Sequence, residues 1–176
     1  QGNILDERLR ISLRTYTQSL NDILVTVSIP PFQIKGLRDF SFSALQASLD
    51  WSDVNNPEGM VFPEKYFSPL ASSGFPELWR GIYIREFVVQ LPRAFARQGS
   101  DQRISVGAKD FLIDDMGLTG ELYASNLFRD GDMNGWLYTL DRMSLYLAGN
   151  RVAGFAFQGD IVIPMIKARD GANAHF

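Results

Sequence analysis

The sequence predicts an all-β fold, either an antiparallel β-sandwich or a short stack of strand-turn-strand units, and three observations carry that expectation. Apolar and polar residues alternate with period two in one segment after another, which puts one set of side chains on each face of a strand. Gly107, Gly117, Gly120, Gly149, Gly154 and Gly159 stand at the ends of these segments or inside them, where turns, bulges or close backbone approach need them. Half of the eight prolines are gathered in one stretch, residues 55–80, which separates two groups of strand-like segments.

Residues 4–24 satisfy two patterns. Leu5, Leu9, Leu13, Tyr16, Leu20 and Leu24 recur at helical steps with Asp6 placed as an N-cap. Leu9, Ile11, Leu13, Thr15 and Thr17 also alternate, and the threonines favour a strand. Because everything downstream is β, the strand is the better expectation. Residues 23–29 alternate and end at Pro30-Pro31, a pair that cannot donate to a central ladder. Phe40, Phe42, Ala44 and Leu45, followed by Ala47, Leu49 and Trp51, predict one long strand or two strands parted by a bulge. Segments 82–91, 104–113, 118–124, 136–147, 152–157 and 160–163 complete the strands.

Between residues 55 and 80 the texture changes. Pro57, Pro63, Pro69 and Pro76 are interleaved with Phe62, Tyr66, Phe67, Phe75 and Trp79, too aromatic a mixture for a flexible linker. Long insertions in compact domains pack as lids or carry contact surfaces. This one is expected to cap an end of the β core with its rings, with partner binding as the alternative. Residues 167–176 are mostly small or polar and read as a flexible tail. The chain 1–176 is thus expected to be a single domain, and its opening Gln1-Gly2-Asn3, without Met, suggests a segment of a larger protein.

A degenerate repeat runs through the strands. Arg38-Asp39-Phe40, Arg85-Glu86-Phe87 and Lys109-Asp110-Phe111 share a basic, acidic, phenylalanine order, and Asp141-Arg142-Met143 is a looser copy. Unequal separations exclude a strict solenoid period.

Composition excludes several functions. With 17 basic and 20 acidic residues the net charge is -3, and the two signs are interleaved, which argues against nucleic acid as a partner. No apolar run approaches the roughly 18 residues of a helical membrane span, and the start lacks the order of a secretion signal. The absence of Cys removes disulfides, thiolate metal sites and cysteine nucleophiles while leaving the compartment open. The single histidine, His175, lies in the expected tail. Neither G-x-S-x-G, S-x-x-K, a P-loop nor G-x-G-x-x-G after a strand occurs.

The sharpest motif is Asp130-Gly131-Asp132-Met133-Asn134-Gly135-Trp136, with Asp141 at the twelfth position. It resembles the first half of an EF-hand-type calcium loop, which implies Asp130, Asp132, Asn134, the Trp136 carbonyl and Asp141 as candidate oxygen ligands for Ca2+. The last position is Asp where Glu is usual, and the flanks read as strands. Asp, Asn and Gly are also the residues that a metal-free hairpin prefers, and that reading is favoured. Trp51, Trp79 and Trp136 each lie beside a turn and, with Tyr66 and Phe67, are candidates for stacking on a sugar, although core packing is the commoner use of such rings. Asp114 and Asp115 are adjacent, so on a strand they point to opposite faces and do not form a catalytic pair. Long amphipathic strands can also form an apolar trough, as in the repeating β-groove lipid-transfer proteins, though no motif here is specific to that family.

These features lead to an expected function as a non-enzymatic structural or interaction module, with a protein partner or self-assembly through strand edges or through 55–80. A carbohydrate-binding module, stiffened by calcium, is the alternative. A carboxylate-type hydrolase comes third.

Overall fold

The computed structural model describes residues 11–19, 22–63, 66, 78–96, 102–133, 136–167 and 173–175. They form β1 (Ser12–Ser19), β2 (Asp22–Phe32), β3 (Ser41–Trp51), β4 (Gly81–Gln90), β5 (Ser105–Asp114), β6 (Gly117–Met133), β7 (Trp136–Ala148), β8 (Arg151–Gln158), β9 (Ile161–Lys167) and β10 (Asn173–His175). A 3₁₀ turn, Arg93–Phe95, follows β4. Every pairing is antiparallel, and neighbours in sequence are neighbours in the sheet from β1 to β7.

Beyond β7 the chain pairs twice with the same edge. β8 lies along Arg142–Ala148 and β9 along Leu137 and Tyr138. Between them Thr139 donates its N–H to the Asp160 carbonyl at 2.7 Å and accepts the Asp160 N–H on its hydroxyl at 2.7 Å. Ten strands therefore occupy nine positions of one open meander. An all-β fold was expected, as a sandwich or a short stack of strand-turn-strand units, and the described residues form one sheet rather than two facing ones. The connectivity explains this, because each strand returns beside its predecessor and no connection among the described residues carries the chain into a second layer.

Three local details follow from the pairing. β2 continues through Pro30 and Pro31 to Phe32, since its pairing with β3 shifts between Val27 and Ile29 and again before Phe32, leaving the prolines in an irregular stretch. β3 is one strand with a bulge: Val27 faces Ala47 and Ile29 faces Ala44, so Leu45 and Gln46 together oppose Ser28, with Gln46 at φ +53°. Within 167–176, read as a tail, Asn173 pairs with Lys167 and His175 with Val162. The repeat copies are not equivalent positions. Arg38-Asp39-Phe40 precedes β3, whereas Glu86 and Lys109 face each other in the middle of β4 and β5.

The core sits at one end of the sheet. Tyr83 and Leu112 are direct cross-strand partners, and both are fully buried beneath Trp79, with Met60, Phe62 and Tyr66 packed against them. The Phe62 ring lies 5.0 Å from Tyr66 and meets Trp79 edge-on at 6.3 Å. Gly81 makes room for this lid, because a Cβ there would lie 2.8 Å from the Trp79 ring and 2.4 Å from the Ile113 carbonyl. Asp114 fastens the arrangement: its Oδ2 accepts the Trp79 indole N–H at 2.8 Å and the Tyr66 hydroxyl at 2.6 Å.

Candidate interaction face

Register decides which side chains share a face. The bulges at Gln46 and Asp110 reverse the alternation, so that on the face opposite Tyr83 and Leu112, toward the other end of the strands, Phe42, Val89, Val106, Ala124, Met143 and Phe157 are successive cross-strand partners from β3 to β8. One step nearer the core, Ala44, Phe87, Ala108, Leu122, Leu145 and Phe155 form a parallel row. None of these residues has a polar side chain. At the usual strand spacing each row runs about 24 Å across the sheet. The rings of Phe32 and Phe42 lie 5.6 Å apart at one margin and those of Phe155 and Phe157 lie 5.5 Å apart at the other.

The described part of 55–80 packs on the Tyr83 face, so the two rows lie on the side of the sheet that it does not cover. Exposure rises toward β8, reaching 70% at Phe155 and 60% at Phe157, and Phe87, Val106 and Met143 are exposed between. Among the described residues β8 pairs only with β7, so its outer backbone groups are also open.

The other face of the same strands, the one that carries Tyr83 and Leu112 at its capped end, is polar behind these rows. Tyr123 reaches over Gly107 to donate its hydroxyl to Glu86 at 3.1 Å, and a Cβ on Gly107 would meet the Tyr123 ring at 2.6 Å and the Phe87 carbonyl at 2.5 Å. The Arg142 guanidinium lies 4.0 Å from the centre of the Tyr123 ring and donates to Glu121 at 2.8 Å. The Ser144 hydroxyl donates to the same Glu121 oxygen at 2.6 Å. Burial pushes Glu121 up, but the Ser144 hydroxyl, Arg142 and Lys109 together hold its carboxyl below the usual carboxylate range. Burial, with the charge and hydrogen bond of Glu86, pushes the Tyr123 phenol up to about 12. A satisfied ionic network thus backs a surface made of hydrocarbon alone.

The candidates named from sequence are dispersed. Trp51 is 57% exposed, with Arg80 5.9 Å from its ring centre. Trp79 is 2% exposed with its indole N–H committed to Asp114, so it offers no ring face to a ligand. Tyr66 is half-buried against Phe62. Trp136 opens β7, and its side chain, like Phe67 and Asn134, lies outside the described residues. Trp51, paired with Ile23, projects from the face opposite the one that Trp79 covers, so these two rings form no common platform. In the calcium-loop candidate, the backbone of Asp130 and Asp132 belongs to β6, and Asp132 pairs with Leu137. Asp141 lies four residues farther along β7, about 13 Å of extended strand. Among the described residues no group of three or more His, Cys, Asp or Glu side chains could hold a metal ion.

One carboxyl is strongly perturbed. Asp50 is pushed up to about 6, chiefly by burial and further by Asp22, against the Ser52 N–H, which lowers it. Its side chain is fully buried at the end of β3 and starts a turn: Oδ1 accepts the Ser52 N–H at 2.9 Å, and the Ser52 hydroxyl accepts from Val54 at 3.1 Å and Asn55 at 3.0 Å. A substrate has no access to it there.

The apolar rows were not assembled from the sequence. Each strand's alternation was legible, but the continuity of the rows depends on six strands sharing a register, which is a property of their pairing. Comparison of the chain with family models, curated proteins and solved structures found no match.

Proposed function

We propose that this protein is a non-enzymatic interaction module whose uncovered apolar sheet face recruits a second β layer. The two uninterrupted apolar rows carry this reading, because a surface without donors or acceptors gains nothing from a polar ligand and gains roughly 25 cal/mol per Å² from apolar cover. Its exposed side chains amount to on the order of 600 Å², close to the roughly 800 Å² that each partner contributes to an ordinary interface. A second copy of the chain suits it, since stacking two such faces about 10 Å apart supplies the facing sheet that each copy lacks.

Sedimentation velocity over a range of concentrations tests the proposal. Wild type is expected to form a dimer, and Met143→Glu or Phe155→Glu to yield monomer with an unchanged far-ultraviolet circular dichroism spectrum. A wild type that stays monomeric at every concentration, or a dimer that survives both substitutions, overturns it.

A further inference from the structure

The loops at one end of the sheet carry charge opposite to that of the chain. Residues 33–40 join β2 to β3 and residues 91–104 join β4 to β5. Their described residues include Lys35, Arg38, Arg93 and Arg103 against the single carboxylate Asp39, in a protein whose net charge is -3. Among these cations stand three exposed apolar side chains, Ile34, Leu37 and Phe95, the last 61% exposed.

The two loops are tied into one platform. Arg103 donates through Nε to the Leu91 carbonyl at 2.8 Å and through Nη2 to the Asp39 carbonyl, and its own carbonyl accepts from the Asn126 amide at 3.0 Å. Turn bonds from Leu37 N–H to Ile34 and from Phe95 N–H to Pro92, each 3.0 Å, fix the projecting tips. Lys35, Arg38 and Arg93 take part in none of the ion pairs between described residues.

We infer that this loop end docks on an anionic phospholipid surface, with Ile34, Leu37 and Phe95 entering the interface and Lys35, Arg38 and Arg93 meeting lipid headgroups. A bilayer boundary uses both components, apolar insertion and attraction to negative headgroups. A polyanion such as nucleic acid would reward the cations and leave three large apolar side chains without partners. The platform lies outside the two apolar rows, so the outcome of the dimer experiment has no bearing on it.

Co-sedimentation with vesicles of phosphatidylcholine alone, or of phosphatidylcholine mixed with phosphatidylglycerol, tests the inference at low and high salt, with heparin retention measured in parallel. Wild type is expected to partition to the phosphatidylglycerol vesicles and to leave them as salt rises. Each removed cation is expected to weaken binding about five-fold, so that Lys35→Gln, Arg38→Gln and Arg93→Gln together cost on the order of 100-fold. Leu37→Ser with Phe95→Ser is expected to weaken vesicle binding roughly ten-fold or more while leaving heparin retention unchanged. All these positions are exposed, and melting curves check that the variants fold. Absence of partitioning, equal binding to both vesicle types, or binding insensitive to the Leu37 and Phe95 changes overturns the inference, and the last with heparin retention that follows the cations identifies a polyanion site.

Discussion

Asp50 accepts the N–H of Ser52 while lying fully buried at the end of β3, so the residue that begins the turn into 55–80 is also held under strong desolvation. Its carboxyl titrates near 6 in the folded protein and at 3.8 in a model peptide, so the folded state holds the proton more tightly. The stability this contributes is complete below 3.8 and is lost as pH rises through 6. Asp50→Asn keeps an oxygen for Ser52 and removes the charge. It is expected to match wild type at about pH 4, to exceed it by on the order of 2 kcal/mol at about pH 8, and to flatten the profile between. Urea unfolding at both pH values measures the difference, and parallel profiles would refute the assignment. Nothing in the sequence separates Asp50 from the other 19 acidic residues, just as proximity to turns does not separate buried Trp79 from exposed Trp51. Burial at both sites depends on how distant segments pack, with Phe62 and Tyr66 meeting the Trp79 ring.

The turn between β7 and β8 rests on the start of β6 and joins two hairpins. Gly149 and Asn150 have φ of +55° and +64°, the left-handed pair that a tight hairpin uses. The Asn150 Oδ1 accepts the Leu118 N–H at 2.9 Å, its N–H donates to the Leu118 carbonyl at 3.0 Å, and Gly149 N–H donates to the Thr119 hydroxyl at 3.0 Å. Asn150→Ala loses both the side-chain bond and a residue type that tolerates positive φ. It is expected to cost about 1–3 kcal/mol, and Asn150→Gly, which keeps the backbone freedom, to cost less. Equal melting temperatures for the two variants would show that the backbone conformation contributes nothing. Strand positions such as Val152 to Phe157 were legible because alternation is unbroken there. β6 extends to Met133, well past the alternating 118–124, because register shifts between Ser125, Phe128 and Gly131 break the period-two pattern.

At the scale of the whole molecule, alternation establishes that strands have an apolar face and does not say what covers it. That is why an all-β fold could be read from the sequence while a second layer could not be told from one open sheet. The same geometry makes stability uneven. In an open meander each strand is held mainly by its immediate neighbours, so local opening depends on how much each part buries. Among the described residues the largest fully buried side chains, Ser48, Asp50, Ser52, Tyr83, Leu112 and Thr119, all belong to β3 through β6 or the turn after β3. At the margin, β8 carries Val152, Phe155 and Phe157 largely in solvent. Amide hydrogen exchange read by mass spectrometry is therefore expected to show the strongest protection in β4 and β5 and the weakest in β1 and β8. If the apolar face pairs with a second copy, protection in β8 should rise with protein concentration while β1 stays unchanged, and Phe155→Glu should remove that dependence. Protection equal across β1, β4 and β8 at low concentration would instead mean that the sheet opens only as a unit, and that its capped end does not determine the stability of the rest.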